Sequence, residues 1–261
     1  MNSEIYIVTH KQVDLPKEEG YIPIVVGKNK VDYPYFVRDN TGDNIAEKNP
    51  NYCELTALYW MWKNVDKNKN IGLCHYRRFF TDFIFTKKPI SITRIEKILK
   101  KYDVIVPQTW IRLDCTVQNW FLEIEGKEKD LKNLRNIIQT KYEEYLEVYD
   151  EVMNGNEAFY CNMFIMPYHL MDRYCEWLFD ILFELEKITD LTGYTTAEAR
   201  IYGFLSERLF NVWVKKNKLK IKYMPMYELN RGLLIKKKIK DKVKHILFKS
   251  EYIKNIIIKN N

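Results

Sequence analysis

Two hydrophobic rhythms alternate along the chain. Short runs of near-continuous apolar residues occur at 4–8 (Glu-Ile-Tyr-Ile-Val), 21–26, 71–74, 103–107, 158–166 and 219–224. Runs of that length, closed by polar residues, read as strands buried on both faces. Between them apolar residues recur every three or four positions, the spacing of one helix face. Leu55, Leu58, Tyr59 and Trp62 predict a helix over 51–64, with Asn49 as its cap and Pro50 at its first position. Ser91 caps a second helix carrying Ile92, Ile95, Ile98, Leu99 and Tyr102. Leu131, Leu134, Ile138, Tyr142, Tyr145 and Tyr149 predict one long helix, and Leu170 to Leu185 another. Residues 196–215 form a further helix, whereas 37–48 and 108–127 read as loops. Strands alternating with helices predict an α/β domain with a largely parallel central sheet flanked by helices.

The pattern changes near residue 230. The last 31 residues place Ile235, Ile239, Val243, Ile246 and Leu247 between lysines, a basic amphipathic helix. This tail holds one Arg and nine Lys against Asp241 and Glu251, a surplus of +8 within a chain total of +7, so residues 1–230 sum to −1. A near-neutral body argues against nucleic acid as a partner. The expected division is a domain over 1–230 and a tail over 231–261. The tail either lies on an anionic membrane face or packs on the domain.

The chain is 46% hydrophobic and 15% aromatic, the composition of a packed domain. No apolar run reaches the ~18–20 residues of a membrane span. No secretory leader is visible at the start. Five cysteines at wide spacing, without a C-x-x-C pair, read as reduced thiols of a cytoplasmic protein.

The candidate chemistry sits at strand ends, where open α/β sheets bind ligands. Thr9 and His10 follow the first strand. His75, Tyr76, Arg77 and Arg78 follow Ile71-Gly-Leu-Cys74. Paired guanidiniums suit phosphate, although a solvated hairpin would carry the same residues. Asn162 interrupts an apolar run and needs buried partners, from ligand or core. Glu54 either complements a helix dipole or faces the site. Arg200 and Glu207 share a helix face, as an ion pair or as an aligned general base. There is no G-x-G-x-x-G, no P-loop, no H-E-x-x-H, and no Asp-x-Asp to hold a divalent metal at a strand end.

The blocks Asp39-Asn-Thr-Gly-Asp-Asn-Ile45, Asn49-Pro-Asn-Tyr-Cys-Glu-Leu-Thr-Ala-Leu-Tyr-Trp60 and Gly72-Leu-Cys-His-Tyr-Arg-Arg-Phe79 resemble the bacterial family known as domain of unknown function 4422. So do Asn162-Met-Phe-Ile-Met166 and Arg200-Ile-Tyr-Gly-Phe-Leu-Ser-Glu-Arg-Leu209, and the resemblance covers about residues 4–230. It implies a GT-A-like fold and a glycosyltransferase of capsular, exopolysaccharide or lipopolysaccharide synthesis. The expected donor is a nucleoside-diphosphate sugar, UDP-hexose and galactose favoured. The expected acceptor is a glycan, free or on a lipid carrier, at the cytoplasmic membrane face. Thr9, His10, Asp39, Asn40, Gly42, Asp43, Asn44, Glu54, Tyr76, Arg77, Arg78 and Asn162 are then the donor-binding candidates. Glu207 is the candidate base and His75 its competitor. No cofactor and no metal ligand is expected; arginines would take the metal's place on the diphosphate, with a divalent cation still open. One block departs from the family pattern. Glu123-Ile-Glu-Gly-Lys127 stands where a histidine often precedes the middle helix, which puts acceptor choice in question. A phosphate or polyanion binder is the alternative, as is a nucleotidyltransferase using Asp39 and Asp43.

Overall fold

The computed structural model describes residues 2–28, 30–83 and 86–228; the 231–261 tail lies outside them. The first two apolar runs are strands β1 (Ser3–Thr9) and β2 (Tyr21–Val25). The polar stretch that follows contributes a two-residue strand, β3 (Val37–Arg38), and a 3-10 turn at Ala46–Lys48. The single helix expected over 51–64 is two, α1 (Asn49–Tyr52) and α2 (Leu55–Asn64). Between them Cys53 has φ 52°, a left-handed backbone that stops the ladder. The Asn49 amide stabilises the break by donating to the Cys53 carbonyl at 2.8 Å.

Strand β4 (Asn70–His75) turns through Tyr76 and Arg77 into β5 (Arg78–Phe80), so the His-Tyr-Arg-Arg block is a tight hairpin. Helix α3 (Ile92–Leu99) starts where Ser91 accepts from the Arg94 N–H, and β6 (Val104–Pro107) follows it. The region expected to be irregular holds β7 (Trp110–Ile111) and α4 (Val117–Ile124), the latter capped by Thr116. The long middle helix is also two, α5 (Glu128–Lys141) and α6 (Leu146–Asn154). The apolar run 158–166 splits into β8 (Glu157–Ala158) and β9 (Phe164–Pro167). Helices α7 (Tyr168–Ile188) and α8 (Ile201–Lys216) precede β10 (Ile221–Met224) and β11 (Met226–Glu228). The α5–α6 break has a packing reason: α5 lies on α7, whereas α6 lies on α8. Apolar spacing runs through the junction without recording that change of partner.

The nine-stranded sheet has the order β10-β6-β9-β4-β1-β2-β3, with β5 on β4 and β11 on β5. Pairs β10–β6, β4–β1, β1–β2 and β2–β3 are parallel. β9 runs antiparallel between β4 and β6. The result is a mostly parallel α/β sheet with one reversed central strand, and that reversal positions the site. It brings the start of β9 to the edge where β4 and β6 end. Successive residues Ile5, Tyr6, Ile7 and Val8 are all buried, so both faces of the sheet are covered. Gly72 is needed at the centre, because a Cβ there would lie 2.6 Å from Ile5 Cδ1 and 3.0 Å from Ile165 Cγ1. Among the described residues no helix is long and apolar enough to cross a membrane.

Candidate active site

A cleft of about 660 Å³ opens at the sheet edge where β1 and β4 end and β9 begins. One wall is the α1–α2 break, with Cys53 and Glu54; another is the start of α8, with Arg200, Gly203, Phe204 and Glu207. The hairpin residues His75, Tyr76, Arg77 and Arg78 line it with His10, Cys161 lies between them and α8, and Trp110, Trp120, Glu125 and Tyr160 close the far end.

Its centre is held by backbone in left-handed conformation. Cys161 (φ 81°) and Asn162 (φ 47°) form the turn into β9. Such non-glycine geometry persists only where surrounding contacts hold it, and it concentrates at functional sites. Here the Cys161 carbonyl lies 2.6 Å from His75 Nε2, and the Cys161 N–H donates to Glu207 Oε1 at 2.7 Å. One residue therefore orients both the imidazole and the carboxyl. Asn162 donates to Glu54 Oε1 at 2.8 Å and to the Gly203 carbonyl at 3.0 Å, and it accepts from the Ser206 hydroxyl at 3.0 Å. Asn162 thus lies beneath the cleft and ties Glu54 to α8.

Burial raises the Glu207 carboxyl to about 8; Glu125 and Glu54 add to the rise, against the lowering pull of Arg208. Burial also lowers the His75 imidazole, with Glu54 opposing. A neutral imidazole whose Nε2–H donates to Cys161 leaves Nδ1 as the acceptor. Glu207 exchanges a proton near neutrality, as a general base requires.

The four arginines of the region differ. Arg78 donates through Nε to Glu228 at 2.8 Å and is ion-paired there, across the β5–β11 ladder. Arg208 is fully buried, paired with Glu125 and 3.3 Å from Glu207, and stacked between Phe121 and Tyr160. Arg77 lies over the Tyr76 ring at 5.8 Å, and Arg200 donates to Cys53 Sγ at 3.0 Å. Neither Arg77 nor Arg200 forms a carboxylate ion pair among the described residues. Both lower the His10 imidazole, after its burial and Lys11, and Arg200 also lowers the Glu125 carboxyl, so its charge reaches across the cleft.

Of the residues expected from sequence, His10, Glu54, His75, Tyr76, Arg77, Arg78 and Glu207 line this cleft. Thr9 is buried beside it, bonded to the Lys11 carbonyl at 2.6 Å. The loop Asp39, Asn40, Gly42, Asp43 and Asn44 does not line it. Asp39 is buried and accepts from the Thr56 hydroxyl at 2.6 Å. Asp43 and Gly42 sit against Asn64, and Asn44 bonds back to the Gly42 carbonyl. The acidic pair that kept a nucleotidyltransferase open is therefore not in the cleft. Sequence reasoning did not place Cys53, Trp110, Trp120 or Tyr160 there, nor Arg208 behind them. The one signal near this wall was the departure at Glu123-Ile-Glu-Gly-Lys127, which contains Glu125. Among the described residues no three His, Cys, Asp or Glu side chains are grouped to hold a metal ion.

Comparison with known proteins agrees with this architecture. The model of the family described as "Domain of unknown function (DUF4422)" matches residues 4–218. An apo structure of WbbM, a bifunctional glycosyltransferase, superposes with a TM-score of 0.80 at 28% identity. That match covers 88% of this chain and 46% of the WbbM chain, so this chain spans about half of its length. No curated protein matches the chain.

Proposed function

The chain belongs to the DUF4422 family, and from that premise and the cleft we propose that it is a glycosyltransferase using a nucleoside-diphosphate sugar. The likeness to WbbM supports the reaction class. The observation that carries it is one cleft joining a carboxyl raised to about 8 with two guanidiniums, Arg77 and Arg200, that have no carboxylate ion pair among the described residues. Direct displacement of the diphosphate by an acceptor hydroxyl uses both. The acceptor hydroxyl must lose a proton as it attacks the anomeric carbon, and the departing diphosphate must be stabilised as its charge grows.

In this reading Glu207 takes the acceptor proton, held in place by the Cys161 N–H. Arg77 and Arg200 hold the diphosphate, the role a divalent cation has in many enzymes of this architecture. Arg78 acts differently from the sequence expectation. Its charge is spent on Glu228, so it fixes the hairpin that presents Arg77. His75 orients the sugar through Nδ1, and Glu54, aligned by Asn162, accepts from sugar hydroxyls. A hexose on UDP, galactose first, is the favoured donor. The acceptor is a surface-polysaccharide glycan, free or lipid-linked, met at the cytoplasmic membrane face through the basic tail.

A thermal-shift screen tests the reading, because a ligand that binds only the native state raises its melting temperature. UDP-galactose at about 100 times its Kd adds about 2.7 kcal/mol, a rise of roughly 5 °C or more for a chain of this size. The rise should survive a chelator and shrink in Arg77→Ala and Arg200→Ala. If no nucleoside-diphosphate sugar moves the melting temperature, the reading fails. A shift that needs added metal removes the arginine clamp alone.

A further inference from the structure

The far end of the cleft is built from aromatic rings that the mechanism above leaves unused. Trp110 and Trp120 stack with ring centres 5.8 Å apart and planes 26° apart. Tyr160 meets Trp120 at 4.9 Å and Trp110 at 5.8 Å, both inclined by about 55°. All three line the cleft; Tyr160 is nearly covered, and the two tryptophans are partly buried.

The cluster is braced from several sides. Trp110 is fixed by the two-strand ladder β7–β8, opposite Ala158. Trp120 belongs to α4, and the Arg112 guanidinium lies 5.1 Å from its ring. Arg112 is itself held by Asp114 at 2.6 Å and Glu123 at 3.2 Å. Tyr160 carries the Arg208 guanidinium 5.1 Å from its ring centre and immediately precedes Cys161. The rings are therefore fixed beside the groups that hold Glu207.

The charge nearby decides what the rings receive. Glu125 and Glu207 border them, with Glu123 and Asp114 behind Arg112. The cations at this end, Arg112 and Arg208, are both held in ion pairs, so among the described residues a phosphorylated ligand would find no unpaired guanidinium there. Arg77, without a carboxylate partner among the described residues, lies at the other end with His10 and Tyr76. A neutral sugar fits both features. Its ring C–H face is apolar and covers aromatic surface, while its hydroxyls donate to carboxylates.

Resting on the proposed transferase reading, we propose that Trp110, Trp120 and Tyr160 form the acceptor subsite, a platform that stacks a neutral pyranose and points one hydroxyl at Glu207. The sheet order agrees. The edge runs from Trp110 after β6, through Cys161 before β9 and His75 after β4, to His10 after β1. Donor phosphates at the His10 end and acceptor sugar at the Trp110 end thus flank Glu207 and His75.

Tryptophan fluorescence of the full chain reads the platform directly. Methyl glycosides of galactose, glucose and N-acetylglucosamine are titrated with and without saturating UDP. The wild type should give a saturable change with at least one glycoside. Trp120→Ala and Trp110→Ala should weaken that binding about tenfold, and Trp120→Phe, which keeps a ring, by less. The UDP-induced thermal shift should stay unchanged in all three, which also shows that each variant is folded. No saturable response in the wild type, or one unaltered in both alanine variants, overturns the platform. Loss of the UDP shift in a variant that still melts cooperatively would assign the rings to the nucleobase and also overturns it. Failure of UDP to bind the wild type strikes the transferase reading instead, while the titration without UDP still reports on the rings.

Discussion

Replacing Glu207 with glutamine removes a proton-binding site and leaves an amide of the same shape, whose oxygen still accepts from the Cys161 N–H. In the folded protein the Glu207 carboxyl titrates at about 8, against an ordinary 4.5. Below pH 4.5 both folded and unfolded chains hold the proton. Between 4.5 and 8 the folded protein keeps it and the unfolded chain releases it, so stability falls as pH rises, by about 1.4 kcal/mol per pH unit. From pH 5 to pH 7 the wild type therefore loses about 2–3 kcal/mol that Glu207→Gln keeps. Urea unfolding of both proteins at the two pH values measures the difference. Groups common to both cancel, so the change in their stability gap isolates Glu207. Turnover gives a second reading. Only the carboxylate acts as base, so at pH 7 about a tenth of the molecules are competent, and the wild-type rate climbs toward a plateau above about pH 8. The glutamine variant should lose about 10²–10⁴-fold in kcat on the high-pH plateau, and the loss should shrink as pH falls and the wild-type base is protonated. A stability gap that does not change with pH refutes the raised carboxyl. A variant that keeps near-normal kcat refutes its role as base.

Two further outcomes follow from the packing. Arg78→Ala leaves Glu228 unpaired and largely buried, and should cost about 3–5 kcal/mol in urea unfolding, whereas Arg77→Ala, on the hairpin tip, should stay within about 0.5 kcal/mol while losing the nucleotide response. Gly72→Ala forces a methyl against Ile5 and Ile165 and should cost about 1–3 kcal/mol, read as a lower urea midpoint with an unchanged slope.

Much of the architecture was legible because burial imposes a period. A strand covered on both faces must be apolar at every position, and a helix on a core must be apolar every three or four. Those rules located β1, β2, β4, β6, α3 and α7 and the alternation that makes the sheet. They failed where the chain changes partner without changing hydrophobicity. Cys53, Tyr142 and the Cys161–Asn162 turn sit inside apolar patterns, so three continuous elements were expected where there are six. In each case a long-range contact holds the break: Arg200 on Cys53, Asp180 on Tyr142 and Glu207 on Cys161.

The site divides the same way. The His75–Arg78 block stood out as a run of chemical groups after a strand, and it does line the cleft. The Asp39–Asn44 loop stood out equally, yet its carboxylates are satisfied by Thr56, Tyr59 and the loop's own neighbours. By itself the sequence determined the residues available for chemistry and the strand ends that could carry them. Tertiary structure alone decided which of them meet. Reversal of β9 brings Cys161 between His75 and Glu207, and closure of α8 over the sheet edge buries Glu207 beside Glu54, Glu125 and Arg208. A proton affinity depends on water excluded and on charges close in space, and neither is a property of residue order.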